Sequence, residues 1–377
     1  MKLPEINRVL MSADTVGGVW TYAVELCRGL GERDVQVVLA TMGAPLRTDQ
    51  RRALAGLRNV VLEESGFALE WMEDPWDDVD RAGDWLLELE QRHHPDVVHL
   101  NGYAHAALPW TVPALVVGHS CVLSWWRAVK GEDAPESWDS YRQRVRTGIR
   151  AADMVLAPTS WMLNQLQQFY GPLAHWRIVP NARTLPRSHR SAKEPMILSL
   201  GRLWDEAKGV LTLAEAAKGL PWPVFVAGDA RGPDGTSVEP PNVRFLGYQY
   251  ADEAVRLCRR ASIYALPAHY EPFGLSALEA AQCGCALVLG DIPSLREVWG
   301  DSAVFVAPGD SWELHRALKS LIDDPSLQRH YADAARMRAE RFTNERMTRS
   351  YLDTYACLCG GTRAGGPSLP ETATLLS

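Results

Sequence analysis

Arg8-Val-Leu-Met-Ser12, then Thr15-Val-Gly-Gly-Val19 opening the run 19–30, then the apolar run 35–41: this first stretch decides the fold. Residues 8–12 and 35–41 are short and rich in aliphatic side chains, as strands are. Between them Val19, Tyr22, Ala23, Leu26 and Leu30 recur at the spacing of one helical face. A strand, a helix and a second strand in that order make the unit from which parallel sheets are built.

The alternation continues outward from there. Further strands are expected at 60–64, 97–101, 114–119, 154–158 and 177–180, and in the second half at 196–200, 224–227, 243–246, 262–266, 286–289 and 303–306. Ala114-Leu-Val-Val117 is apolar at every position, as a strand covered by helices on both faces should be. The stretch 181–195 carries two prolines, several basic and small polar residues and one large aliphatic, Leu185, and reads as a linker. With 377 residues, beyond the roughly 150 of one typical domain, the chain is expected to form two. These are an N-terminal Rossmann-like domain over 1–182 and a C-terminal one over 190–344. Helices are expected at 312–322, 326–341 and 345–358, the last crossing back to the first domain. The Gly/Thr/Pro/Ser-rich stretch 360–377 reads as a disordered tail. The fold class is therefore α/β, two doubly wound parallel sheets facing a cleft.

Composition narrows the function. Hydrophobic residues make up 46% and charged residues 23%, with a net charge of -7, which does not suit wrapping a nucleic acid. The local basic run Arg142, Arg144, Arg146 and Arg150 fits a solvated helix face, or a peripheral contact with a membrane surface or an acceptor phosphate. The N-terminus shows no leader pattern, no apolar run approaches a membrane span of ~20 residues, and the seven cysteines read as reduced, so a cytoplasmic setting is expected. Cys283-Gly-Cys285 and Cys357-Leu-Cys359 lack the second pair or histidine that zinc needs.

Ligands in open α/β sheets bind beyond the carboxyl ends of the strands, and four groups of residues fall there. Gly17-Gly18 follows the first strand and opens a helix, where backbone N–H groups can approach an anion, although such a pair also makes a plain tight turn. It is not G-x-G-x-x-G, which argues against a dinucleotide cofactor. Arg202 and Lys208 share the loop after the first strand of the second domain and can converge on a diphosphate, or stand as two surface cations. Glu271-Pro-Phe-Gly-Leu-Ser-Ala-Leu-Glu279 places two carboxylates around a helix expected to start near Gly274. The amides of Phe273, Gly274 and Leu275 are expected to be open to phosphate or sugar oxygens. His119 ends an apolar strand and reads either as a structural hydrogen-bonder or as a catalytic group.

In this order the chain resembles the GT-B fold retaining glycosyltransferases of family 4, the glycosyl transferases group 1, over residues 8–355. The resemblance rests on Gly17-Gly18, His119, Ala151-Ala-Asp-Met-Val-Leu-Ala-Pro-Thr-Ser160, Ile178-Val-Pro-Asn181, Gly201-Arg202 with Lys208-Gly209, Val226-Ala-Gly-Asp229, Val243-Arg-Phe-Leu-Gly247, the 271–284 segment and Arg296-Glu-Val298. It implies a hexosyl transfer from a nucleoside-diphosphate sugar to a carbohydrate, lipid-linked or small-molecule acceptor. Catalytic roles fall to His119, Arg202, Lys208 and Glu271. Donor contacts fall to Gly17, Gly18, Arg202, Lys208, Phe273, Gly274, Leu275 and Glu279, with Glu279 on the ribose and Glu271 on the transferred sugar. It implies a front-face displacement with retention, and neither cofactor nor metal. Asp78-Val-Asp80 has the form of a metal-holding D-x-D, but Arg202 and Lys208 already supply countercharge. After Asn181 the chain has Ala182-Arg183 where many relatives have glycine, which implies a stiffer hinge. A 2-epimerase-type isomerase of the same fold would need an acid/base pair in the first domain that is not evident. A non-catalytic nucleotide-sugar binder would not need the full set. A phosphorylase lacks its pyridoxal-phosphate lysine. The loops 65–84, 101–113 and 121–141 carry Trp71, Trp76, Trp110, Trp125, Trp126 and Trp138, which either stack on an acceptor or pack the loops.

Overall fold

A computed structural model describes residues 4–186, 192–232, 235 and 237–361. Part of the expected linker, 187–191, and the expected tail from 362 onward lie outside the described residues. The chain divides into two units. One holds residues up to 126, 132–182 and those from 344 onward, and the other holds 127–131 and 183–343.

The first unit has seven parallel strands: β1 (Arg8–Asp14), β2 (Gln36–Met42), β3 (Val60–Glu64), β4 (Val97–Leu100), β5 (Ala114–Val117), β6 (Met154–Ala157) and β7 (Trp176–Ile178). They lie in the order β3-β2-β1-β4-β5-β6-β7. The register sets Met11 of β1 beside Leu39 of β2 on one side and His99 of β4 on the other. The helices between them are α1 (Gly18–Gly31), α2 (Thr48–Leu54), α3 (Trp76–His93), α4 (Val122–Val129), α5 (Asp139–Ala151) and α6 (Ser160–Tyr170). Strand order reverses between β1 and β4, so a crevice is expected beyond their carboxyl ends. The strand expected at 114–119 stops at Val117, which leaves His119 in the loop beyond the sheet edge.

The second unit repeats the plan with β8 (Glu194–Leu200), α7 (Val210–Ala216), β9 (Val224–Ala227), β10 (Arg244–Phe245), α8 (Ala251–Arg260), β11 (Ala261–Leu266), α9 (Leu275–Gln282), β12 (Ala286–Gly290), α10 (Pro293–Trp299), β13 (Val304–Val306), α11 (Ser311–Asp323) and α12 (Pro325–Ala339). Its parallel sheet has the order β10-β9-β8-β11-β12-β13, with the reversal between β8 and β11. The strand expected at 243–246 shrinks to two exposed residues at the sheet edge, where only β9 pairs with it. Apolar side chains fill both faces of this sheet. Leu198, Tyr264, Leu287 and Trp299 are among those on one side, and Ile197, Leu213, Val288 and Leu318 among those on the other.

The last helix, α13 (Asn344–Cys359), belongs to the first unit and packs on α1. Asn344 Nδ2 donates to both the carbonyl and Oε1 of Glu25, which is fully buried and also pairs with Arg28. Gly29 faces Thr348 so closely that an added Cβ would lie 1.9 Å from its hydroxyl. Tyr351 and Tyr355 are completely buried against Tyr22 and His99.

Candidate active site

The two strand-order reversals gather most of the residues picked out by sequence. In the first unit Gly17 and Gly18 follow β1 and open α1, with Gly17 in a left-handed conformation at φ 76°. Asp14 Oδ1 accepts the N–H of Val16, and its Oδ2 accepts from the Trp71 indole at 3.2 Å, which fixes the approach to that turn. Asn101 follows β4. It is held to the end of β1 by two bonds to Ser12, from its backbone N–H to Oγ (3.0 Å) and from Nδ2 to the carbonyl (2.6 Å).

His119 comes from the loop after β5, and its Nε2 lies 2.8 Å from Asn101 Oδ1. Its ring meets the edge of Tyr22 at a centroid distance of 4.5 Å. Burial pushes its pKa down to about 3, so the imidazole is neutral at physiological pH. Beneath it, His99 is fully buried, with Nε2 3.2 Å from the Tyr22 hydroxyl and Nδ1 2.6 Å from that of Tyr355. Burial first, then the neighbouring His119, hold its pKa at about 3. Glu70, from the loop before α3, accepts the N–H groups of Tyr103 and Ala104, and burial raises its carboxyl. Sequence reasoning missed Asp14, Glu70 and Asn101. Asp14 and Asn101 had only their position at a strand end as a local signal, and Glu70, in the loop between β3 and α3, had none.

In the second unit the loop after β8 carries Arg202 and Lys208. Asp205 organises it: one carboxylate oxygen accepts the N–H of Ala207, and the other accepts from Arg202 Nη2 at 2.9 Å. The Arg202 guanidinium also lies over the Trp204 ring. A short 3-10 turn, Glu206–Lys208, then ends at Gly209, whose φ is 65°. A Cβ there would sit 2.2 Å from the carbonyl of Pro267, just past β11, so only glycine lets this loop lie against the neighbouring strand end.

Lys208 Nζ donates to Glu271 Oε2 at 2.8 Å, with both side chains at least four-fifths buried (14% and 16% exposed). The other oxygen of Glu271, Oε1, accepts the N–H of Gly274 at 3.0 Å. This corrects the expectation of three open amides: Glu271 takes that of Gly274, and Phe273 N lies 3.5 Å from the same oxygen. The Phe273 side chain is core, edge-on to Phe342, so only its backbone can serve a ligand. The helix starts one residue after Gly274, at Leu275.

Glu279, one turn into α9, is engaged as well. Arg183 Nε donates to its Oε1 at 2.5 Å, and Gln282 on the same helix donates to the Arg183 carbonyl at 2.7 Å. Arg183, noted in the sequence only as a departure from glycine, is thus bound to α9 through both side chain and backbone. Arg202 and Lys208 do not converge as two unpaired cations. Arg202 has a carboxylate partner on its own loop, Asp205, and Lys208 has one from the loop before α9, Glu271.

The remaining candidates fall away from these strand ends. Asp78 accepts from Ala68 N and pairs with Arg81, while Asp80 pairs with Arg144, so the D-x-D carboxylates are taken up by basic partners on α3 and α5. Arg144 also covers Trp76, and Arg142 pairs with Asp139, which neutralises part of the basic run. Trp71, Trp76, Trp110, Trp126 and Trp138 are partly buried and pack against the core of the first unit, and Trp125 meets Trp126 edge-on. All seven cysteines are free thiols. Among the described residues no three histidine, cysteine or acidic side chains come together as metal ligands, and no helix is long and apolar enough to cross a membrane.

Two parallel α/β units, each with one strand-order reversal in its sheet, define the GT-B architecture. Sucrose-phosphate synthase from Thermosynechococcus elongatus shares it with a TM-score of 0.76 at 17% identity, over 94% of this chain and 99% of that one. Anabaena HepE in complex with UDP and glucose does so with a TM-score of 0.74 at 17% identity, over 94% and 100%. The family model for glycosyl transferases group 1 matches residues 181–338, and that for glycosyltransferase family 4 matches residues 16–185. A glycogen synthase of Mycobacterium tuberculosis is 30% identical over 333 residues, 77% of this chain and 76% of the relative. A D-inositol 3-phosphate glycosyltransferase of Actinosynnema mirum is 28% identical over 394 residues, 90% and 92%. The chain belongs to the glycosyl transferases group 1 family and is a glycosyltransferase.

Proposed function

We propose that the protein transfers a hexose from a nucleoside-diphosphate sugar to an acceptor hydroxyl with retention of anomeric configuration and without a metal ion. The observation that carries this reading is the contact between Lys208 and Glu271. A cation from the loop after β8 and a carboxylate at the start of α9 meet at 2.8 Å beside a helix N-terminus. That places a charge suited to a diphosphate beside a group suited to sugar hydroxyls, and the helix N-terminus itself favours an anion.

In this reading Lys208 and Arg202 exchange part of their carboxylate contacts for the donor diphosphate. Glu271 reads hydroxyls of the transferred sugar, and Glu279 those of the ribose. Leu275 N–H, with the backbone of Phe273 and Gly274, lines the phosphate side, and Gly17 and Gly18 offer backbone from the first unit. His119, neutral, stands beside the sugar. The bond from the anomeric carbon to the diphosphate oxygen breaks as the acceptor oxygen bonds to the same face. The acceptor proton passes to a diphosphate oxygen, leaving a glycoside and a nucleoside diphosphate. Negative charge grows on the leaving group, so the cations act more in the transition state than in the ground state. The names of relatives, glycogen synthase and inositol-phosphate glycosyltransferase, and the UDP bound to HepE support a nucleotide-sugar donor.

Lys208→Ala is expected to lower kcat by about 100-fold or more while weakening nucleotide diphosphate binding less than tenfold. Turnover by the variant and thermal shift with UDP, ADP and GDP measure the two effects. Wild-type kcat in this variant would remove the assignment. Treatment with a chelator should leave turnover within about twofold, and complete loss would overturn the metal-free mechanism.

A further inference from the structure

We propose that Asn101 is a positioning residue that holds His119 as the Nε2–H tautomer and so presents Nδ1 as a hydrogen-bond acceptor for a hydroxyl of the donor sugar. The proposal rests on the reading above that His119 stands at the sugar. The argument for the tautomer needs only the chemistry of three atoms. The Ser12 carbonyl oxygen can only accept, so the Asn101 side-chain atom 2.6 Å from it must be the amide nitrogen. That turns the Asn101 oxygen toward His119, 2.8 Å from Nε2. An amide oxygen also can only accept, so Nε2 carries the proton, and in a neutral ring Nδ1 is then the lone pair.

The arrangement is rigid at each step. Ser12 lies in β1 and Asn101 follows the adjacent β4, and the Asn101 backbone N–H donates to Ser12 Oγ at 3.0 Å. The amide therefore cannot turn over without losing a bond to Ser12 as well as the one to His119. The Tyr22 ring edge, 4.5 Å from the imidazole between centroids, limits its rotation. Among the described residues Nδ1 of His119 has no hydrogen-bond partner. A neutral imidazole with that nitrogen open accepts a hydrogen bond from a hydroxyl. It neither donates to the sugar nor acts as an acid.

The test uses the full-length protein labelled with 15N-histidine. At neutral pH the His119 Nε2–H should appear directly, protected from exchange with water, with Nδ1 unprotonated, and Asn101→Ala should abolish the protection. A proton on Nδ1 in the wild type, or an Nε2–H equally exposed in both proteins, overturns the proposal. A double-mutant cycle gives the second arm, with UDP-, ADP- and GDP-glucose as donors. Asn101→Ala alone should lower kcat/KM about tenfold to 100-fold, and should cost less than about twofold when added to His119→Ala, because it acts through that ring. Additive losses in the cycle overturn the coupling. If His119→Ala keeps wild-type turnover while the protected Nε2–H is seen, the reading of His119 at the sugar fails and the tautomer lock stands.

Discussion

Glu279 shows what a charge in this molecule is doing before any substrate arrives. Its carboxylate is largely buried and held by Arg183, and Arg183 is anchored in turn to Gln282 of the same helix. Truncation to Arg183→Ala would leave a carboxylate in a poorly solvated place with one partner fewer. A stability loss of about 1–3 kcal/mol is expected, read by denaturant unfolding. If Glu279 reads the nucleotide and not the reacting centre, the same variant should raise donor KM several-fold while kcat changes less. An unchanged KM with a collapsed kcat would place Glu279 in the chemistry instead. Lys208, Glu271 and Glu279 were singled out in the sequence, but their pairings were not, and Arg183 stood there only as a departure from glycine. Arg183 and Glu279 are 96 positions apart, and Lys208 and Glu271 are 63 apart. No local pattern ties such residues together, because tertiary packing alone brings them to one point. Asn101 was overlooked for the same reason: its meaning lies in Ser12 on β1 and His119 in the loop after β5.

Secondary structure was the more readable level. Apolar runs and helical spacing are local and repeat along the chain, so the strands of both sheets and the helices at 311–339 and 344–359 emerge where the periodicity places them. The discrepancies sit at ends, where a strand's last residue is decided by its neighbour. β5 stops when its partner β6 stops pairing at Leu156, and β10 is short because only β9 pairs with it. Joints between elements carry sharper demands than their interiors. Gly209→Ala meets both a left-handed backbone and a carbonyl at 2.2 Å, so a loss of about 2 kcal/mol or more is expected. The Lys208 loop should shift with it, measured as a fall in Tm together with a fall in kcat. Gly29→Ala tests a different joint. Its methyl would collide with Thr348 on α13, and the first unit should lose stability while nucleotide binding to the second unit stays intact. The double variant with Thr348→Ala should recover part of the loss.

For the molecule as a whole, the buried histidines set a direction for acid sensitivity. His99 and His119 have folded-state pKa values near 3, against an ordinary value of about 6.5. Between those limits the unfolded chain binds protons that the folded one refuses, so stability is complete above about pH 6.5 and falls as the pH drops toward 3. Tm should decline by several degrees between about pH 6.5 and 4. His119→Asn should flatten that decline, and an unaltered slope would show that other groups govern it. The placement of α13 reaches into another domain of behaviour, the order in which the protein is made. The second unit is almost wholly continuous in sequence, from 183 to 343, whereas the first needs Asn344, Thr348, Tyr351 and Tyr355 to close over α1, Tyr22 and His99. On the ribosome, then, the half that emerges first is the half that finishes last. It waits with an uncovered apolar face while the later half folds, and the nascent chain is exposed to chaperones and proteases for that whole interval.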